Sequence, residues 1–382
     1  MEFDKEINRH GTGSLKWDRF KGTDVLPFWV ADMDFESPPE VLAALRERVS
    51  HGVFGYTIPP ESTVRSVCEY LERQHGFPIQ PEWLVWSPGL VPSLNLACRA
   101  FAEGGDGIMT FIPSYPPFLS APSYAERELL TVALLPRGDN SGWEIDWEQM
   151  ESKVGSRTRL FLLSHPQNPV GKAFSRAELE QIGEFCVKYD LILCSDEIHC
   201  DLQLGESRHI SAGTLSPEIL KRTIILMSPS KTYNLAGLAC AYLVIPDESL
   251  RNRYKRAARG IITEINLFGY TGCEAAYRFG EPWRQRLLAY LGGNRDRVYQ
   301  VLGRYSQIRL RPMDATYLAW LDVRGWGIED PCKAFEKGGV GLSDGIQFGQ
   351  SGFLRLNFGC PRAMLDEGLQ RMERVLSSHA QS

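Results

Sequence analysis

Four stretches of the chain place groups of complementary chemistry just past apolar, β-prone runs. "RLFLLSHPQNPVG" leads to His165 and Asn168, and "LILCSDEIH" to Asp196 and His199. "TIILMSPSK" leads to Ser228, Ser230 and Lys231, and "WLVWSPGL" to Ser87 and Gly89. In open α/β sheets ligands sit beyond the carboxyl ends of the strands, so one sheet edge is expected to gather these groups. A lysine amine there can condense with an aldehyde. A carboxylate can hold the proton of a ring nitrogen, while hydroxyls and backbone N–H groups receive a phosphate. Pyridoxal 5'-phosphate (PLP) requires all of these together. A single lysine after a strand is ordinarily a solvated loop residue; the ordered set Asn168, Asp196, Lys231 is what points to the cofactor.

The elements that must position these groups follow from hydrophobic patterning. "WLVWSPG", "DGIMTFIP", "LLTVALL", "RLFLLSHP", "LILCSDEI", "TIILMSPS" and "CAYLVIP" read as short strands bounded by Gly, Pro or polar residues. "PPEVLAALRERVSHG" reads as a helix with Pro at its start and Gly at its end. "SRAELEQIGEFCVKYD" opens with a capping-box pattern, Ser175 to Glu178. The alternation predicts an α/β fold: a mostly parallel, seven-stranded sheet with helices on both faces. The character changes after about residue 260, where a long amphipathic stretch, "EPWRQRLLAYLGGNRDRVYQVLGRY", precedes the isolated strands "TYLAWLDV" and "FLRLNFG". The expected organisation is a large cofactor-binding domain over 46–280 and a small α+β domain over 281–382. Residues 1–45 would pack against the latter.

Bulk properties exclude several function classes. The 382 residues exceed one ordinary core, and 43% apolar with 23% charged residues is typical of a soluble globular chain. A net charge of -5 argues against nucleic acid or a membrane surface as partner. No apolar run is long enough to span a bilayer, and "MEFDKEINRH" lacks the apolar core of a secretion signal. Nine cysteines without a CxxC pair suggest reduced thiols and a cytoplasmic location. Cys194 and Cys200 flank "SDEIH"; a zinc site is conceivable there, but small core residues are the plainer reading. No GxGxxG follows a strand, which sets aside a Rossmann dehydrogenase.

The chain resembles the fold-type I PLP enzymes of the class I/II aminotransferase superfamily. Within them it is similar to the cystathionine β-lyase, or cysteine C–S lyase, subgroup. The likeness runs in order through "INRHGTGSLKWD", "FWVADMDFESPPEV", "HGVFGYT", "SHPQNPVGKAFSRAEL", "SDEIHCDL", "SPSKTYNLAGL", "ATYLAWLDV" and "LRLNFGCPR". It implies that Lys231 carries the Schiff base, Asp196 partners the pyridine nitrogen, and Asn168 and His199 meet the phenolic oxygen. Tyr115 would stack on the ring. Gly89, Leu90 and Val91 would offer amides to the phosphate, with Ser228 and Ser230 as hydroxyl donors. Tyr56 would reach that phosphate from a neighbouring subunit, which implies a homodimer with shared sites. Arg355 would hold the substrate α-carboxylate, with Asn168 and Tyr115 beside it.

The resemblance also implies an activity: α,β-elimination from an amino-acid thioether, with Lys231 as general base. Transamination by a relative begins with the same steps, so the catalytic residues do not separate those two outcomes; a decarboxylating relative acting on an amino acid or cysteine conjugate is a further alternative. A non-catalytic regulatory binding protein is a further alternative, against which intact Lys231, Asp196 and Arg355 argue. Many aminotransferases carry an arginine eight residues past the lysine. Ala239 stands there in this chain, as is common in the lyase subgroup. Trp17 and Trp29 fall in segments that resemble substrate-entry loops.

Overall fold

A two-residue strand, β1 (Leu26–Pro27), precedes a sheet built from the middle of the chain. Its strands are β2 (Leu84–Ser87), β3 (Gly107–Ile112), β4 (Glu128–Pro136), β5 (Trp143–Ile145), β6 (Thr158–Ser164), β7 (Ile192–Asp196), β8 (Thr223–Met227) and β9 (Ala241–Val244). The computed structural model describes residues 2–205, 208–262 and 264–378. The spatial order is β2-β9-β8-β7-β6-β3-β4-β5, eight strands where the sequence pattern predicts seven. The addition is β5, whose three residues pair antiparallel with Leu134–Pro136. A run that short leaves no periodic signal.

Strands β8, β7, β6, β3 and β4 pair in parallel, and β9 runs antiparallel to both β2 and β8. The carboxyl ends of β2, β3, β6, β7 and β8 therefore share one edge. Chain order runs outward through β3 and β4 on one side and through β6, β7 and β8 on the other. That reversal opens a crevice between β3 and β6 at the same edge.

Strands β7 and β8 are buried at every position, as expected when helices cover both faces. On one face Leu94, Phe101 and Tyr254, from helices 90–101 and 248–258, pack on Leu162 and Leu243. On the other, Leu179, Ile182 and Phe185 of helix Arg176–Lys188 pack against Phe161 and Leu193. Burying each such side chain is worth about 1.5–3 kcal/mol. The Ser175–Glu178 capping box is formed, and helix Pro39–His51 stops at Gly52, where φ is 77°. A left-handed residue of that kind favours glycine.

The C-terminal part adds β10 (Leu318–Asp322), β11 (Val340–Gly341), β12 (Ser343–Asp344) and β13 (Phe353–Asn357). β13 pairs antiparallel with both β10 and β12, while β11 takes β1 as a parallel partner. The N-terminus is thus stitched to the C-terminal part. Phe3 packs there against Trp283 and Tyr290, with ring centres 5.5 Å away in each case. All nine cysteines are free thiols. Among the described residues no helix is long and apolar enough to cross a membrane.

An ion cluster fixes the N-terminal segment. Lys16 is fully buried with its Nζ 2.7 Å from Asp34 Oδ2, and Arg9 Nη1 lies 2.6 Å from Asp34 Oδ1. Trp17 donates its indole N–H to the same carboxylate at 2.8 Å. Burial alone would raise the Asp34 carboxyl, but Lys16, Trp17 and Arg9 outweigh it and hold it below the ordinary range. Asp34→Asn should therefore cost about 3–5 kcal/mol in urea unfolding at neutral pH, because buried Lys16 loses its nearest counter-ion and retains only Asp32, whose Oδ1 is 3.8 Å away. A depressed carboxyl stabilises the fold above its unfolded pKa and loses that contribution as pH falls through the folded one. The gap between wild type and variant should accordingly shrink in acid.

Candidate active site

One cavity opens at the shared carboxyl edge of the sheet. Lys231, Asp196, Asn168, His199 and Arg355 line it together with Tyr115. So do Gly89, Leu90, Val91, Ser228 and Ser230. Tyr56, expected from a neighbouring subunit, does not. It is fully exposed at 104% in the single chain, on a segment that also exposes Phe54 and Ile58.

Each wall of the cavity has a local cause. Strand β7 ends in Asp196, whose carboxylate accepts the Ile198 N–H at 3.1 Å. Strand β8 ends at Met227, and the chain turns through Ser228 to Lys231. Ser228 donates its hydroxyl to the Cys240 carbonyl at 2.7 Å and accepts from the Ser230 N–H at 3.1 Å. Its proton is spent within the turn, so Ser230, 2.8 Å away, is the freer hydroxyl donor. Helix Leu90–Phe101 begins without a side-chain cap, and Pro92 has no N–H. Its first N–H groups, on Leu90 and Val91, are left to meet an anion. The Ser87 and Ser93 hydroxyls hold the Gly89 carbonyl of that turn at 3.0 and 2.8 Å.

Arg355 sits on β13 and donates Nη1–H to Asn168 Oδ1 at 3.0 Å and Nη2–H to the Trp29 carbonyl at 2.8 Å. Its buried Nε has no partner. Most of the five guanidinium N–H groups thus remain for a carboxylate. Because Asn168 accepts through Oδ1, its amide N–H groups are the ones presented to a ligand. Lys231 donates to the Ala31 carbonyl at 2.5 Å, and Tyr317 to the same oxygen at 3.1 Å.

The electrostatics follow from burial. Desolvation pushes the Asp196 carboxyl up to about 7, against the Ile198 N–H and Lys231, which favour its charge. Desolvation also lowers Lys231 to about 8 and Arg355 to about 10. His199 falls to about 3 through burial, with Lys231 and Arg355 adding to the effect, so it is neutral at physiological pH. Its Nδ1 is buried without a partner.

Several sequence-level placements are revised here. His165 does not line the cavity; it is buried, its Nε2 donates to the Ile210 carbonyl at 2.9 Å, and its ring lies 4.4 Å from that of His209. Ser87 acts only through the Gly89 turn. Trp17 and Trp29 do not themselves line the cavity, Trp29 donating its indole N–H to the Lys16 carbonyl at 3.0 Å, but the Trp29 segment borders it through Val30 and Ala31. Conversely, Ser164, Val30 and Ala31 line the cavity without having been singled out. The Ala31 carbonyl carries no side-chain signal that a sequence could show.

The unmet groups describe one ligand. A carboxylate pushed toward neutrality calls for a cation, uncapped helix amides call for a phosphate, and an amine that is partly free at neutral pH calls for an aldehyde. An arginine with unused donors calls for a second carboxylate. PLP with an amino-acid substrate fits this set.

Comparisons with known proteins agree. The family model "Aminotransferase class I and II" matches residues 23–372. Cystathionine beta-lyase PatB of Bacillus subtilis is 38% identical over 99% of this chain and 100% of its own length. The crystal structure of OvoB superposes with a TM-score of 0.96 at 41% identity, covering 99% of this chain and 100% of that one. Cystalysin of Treponema denticola, solved with PLP, superposes with a TM-score of 0.94 at 30% identity, covering 98% of each chain.

The Asp196 carboxyl makes a measurable prediction. Its folded pKa is raised, so folding loses stability as pH rises from the unfolded value toward about 7. Cofactor-free Asp196→Asn should therefore be more stable than cofactor-free wild type at pH 8, by about 1–3 kcal/mol in urea unfolding. The same variant should bind PLP more weakly in equilibrium dialysis.

Proposed function

From the premise that the chain belongs to the class I and II aminotransferase family, we propose that it is a PLP-dependent carbon–sulfur lyase. It cleaves the Cβ–S bond of cystathionine-type cysteine conjugates, yielding a thiol, pyruvate and ammonia. The observation that carries this is the single cavity joining Lys231, Asp196, Asn168 and Arg355. The 38%-identical full-length relative with a cystathionine β-lyase name supports the elimination outcome.

When bound, PLP supplies an aldehyde for the substrate amine and a protonated ring that accepts the electron pair left at Cα. The chain's own residues do the rest. Asp196 holds the ring-nitrogen proton; the cation beside it offsets the desolvation that otherwise raises this carboxyl. Asn168 donates to the phenolic oxygen, and neutral His199 lies close by. Leu90 and Val91 N–H groups with the Ser230 hydroxyl hold the phosphate. Arg355 would grip the α-carboxylate bidentately and so orient Cα. Tyr115, on the cavity wall, would stack on the ring.

Lys231, as a free amine once substrate is bound, would take the Cα proton as general base. Its depressed pKa of about 8 leaves a useful fraction of free amine at neutral pH. The Ala31 carbonyl is an acceptor at which the released amine can wait. The Cα–H electron pair moves toward Cβ, the Cβ–S bond breaks, and the sulfur leaves as thiolate. Return of Lys231 to the aldehyde carbon would free the substrate nitrogen as 2-aminoacrylate, which tautomerises to its imine and takes up water, giving pyruvate and ammonia. Ala239 in place of an arginine is in keeping with the resemblance to the lyase subgroup; Ala239 itself is in a left-handed conformation, φ 51°, outside the cavity.

The working unit in this reading is a homodimer with shared sites, in which exposed Tyr56 enters the partner's phosphate site. We take 46–280 as the cofactor-binding body and 281–382, with residues 1–45, as the part that brings Arg355 to it.

Purified holoenzyme given L-cystathionine and other cysteine S-conjugates should release thiol and pyruvate in equal amounts without added keto acid. Amino transfer that requires a keto acid, with no pyruvate, would replace the lyase reading by an aminotransferase one. Arg355→Lys should lose about 2 kcal/mol of transition-state binding, roughly thirtyfold in kcat/KM, because the bidentate grip is lost. Lys231→Ala and Tyr56→Ala proteins, each of low activity, should regain activity when mixed and allowed to exchange subunits. Mixtures no better than the separate variants would contradict shared sites.

A further inference from the structure

The strap after β7 serves two sides. Asp196, Ile198 and His199 line the cavity, whereas Glu197, Cys200 and Asp201 do not. Glu197 instead meets His209, whose Nε2 lies 2.8 Å from its carboxylate, and Asp201 meets His75. None of these groups is used by the reaction above.

His75 closes helix Glu61–His75, and its side chain is only 3% exposed. Its Nε2 lies 3.1 Å from Asp201 Oδ1, yet neither ring nitrogen is aligned with a hydrogen-bond partner. An imidazole buried against a carboxylate without a well-aligned hydrogen bond to it, and with Nδ1 unmet, is held less well than its burial requires, by about 1–3 kcal/mol per unmet group. The Cys200 thiol stands beside the pair, and the three donor atoms of His75, Cys200 and Asp201 lie within 4.8 Å of one another. Ligands of one ion flank each other at such separations without pointing at one another, and a thiolate, an imidazole and a carboxylate are a zinc-type donor set. The nearby cation, Arg284, donates to the Asp201 backbone carbonyl at 2.9 Å and carries its own counter-ion, Glu281, at 2.7 Å. The second Asp201 oxygen accepts from the Thr232 hydroxyl at 3.3 Å.

We propose that His75, Cys200 and Asp201 bind a thiophilic divalent metal ion of the zinc class, on the side of the strap away from the proposed cofactor. Binding releases the Cys200 thiol proton, and water completes the coordination. The ion clamps the end of helix Glu61–His75 to the strap that carries Asp196 and His199. It stabilises the fold and takes no part in the reaction.

The test uses holoenzyme loaded with zinc and passed through gel filtration. Elemental analysis should find about one zinc per chain. X-ray absorption at the zinc edge should show one sulfur neighbour at about 2.3 Å, which zinc held by PLP or by surface carboxylates would lack. Cys200→Ser and His75→Ala should each lose the metal, while Lys231→Ala keeps it and serves as the control for a folded chain. The melting temperature of the wild type, and not of Cys200→Ser, should rise on zinc addition. No retained metal in wild type, zinc without a sulfur neighbour, or full retention in folded Cys200→Ser would each overturn the proposal.

Discussion

The structure depends on keeping three ionisable groups, Lys231, Asp196 and Arg355, in a desolvated cavity. Burial is the largest influence on each, disfavouring the charged form in all three. That state is costly unless a ligand supplies the missing charges, and the proposed ligand supplies them in order: a ring cation for Asp196, and a carboxylate for Arg355. For Lys231 the ligand removes the problem by a covalent bond. The same desolvation readies the amine for proton transfer, because a base works best with a pKa near the working pH.

The sheet exists, in this view, to hold those groups at fixed separations. Parallel pairing of β8, β7, β6 and β3 puts the ends of four buried strands on one edge, and the reversal of β9 lets β2 add the Gly89 turn beside them. Arg355 comes from a different sheet, so its reach to Asn168 depends on how β13 is seated. The Arg9, Lys16 and Asp34 cluster contributes to that seating. It anchors the segment whose Trp29 carbonyl accepts from Arg355 and whose Ala31 carbonyl accepts from Lys231.

Much of this was legible in the sequence. The central strands are continuous apolar runs, and their polar terminators reveal where the ligand edge lies. Asn168, Asp196 and Lys231 could be ordered along that edge before any coordinates. Helix ends at Ser175 and Gly52 were equally plain, because their capping chemistry is local. What escaped was non-local or carried by the backbone. β5 is too short for a pattern, and the Ala31 carbonyl has no residue-type signature. The direction of His165 depends on the turn after β6, which sends it toward His209. The division of labour between Ser228 and Ser230 rests on a carbonyl, Cys240, that lies twelve residues on.

Covalent attachment of PLP through Lys231 is the claim on which the site and the chemistry both stand. The direct measurement is borohydride reduction of the purified holoenzyme, followed by proteolysis and mass spectrometry. The expected result is a pyridoxyl adduct on the peptide containing Lys231 and on no other, with loss of the visible cofactor absorbance. An adduct on a different lysine, or none in protein that retains stoichiometric PLP, would contradict the account.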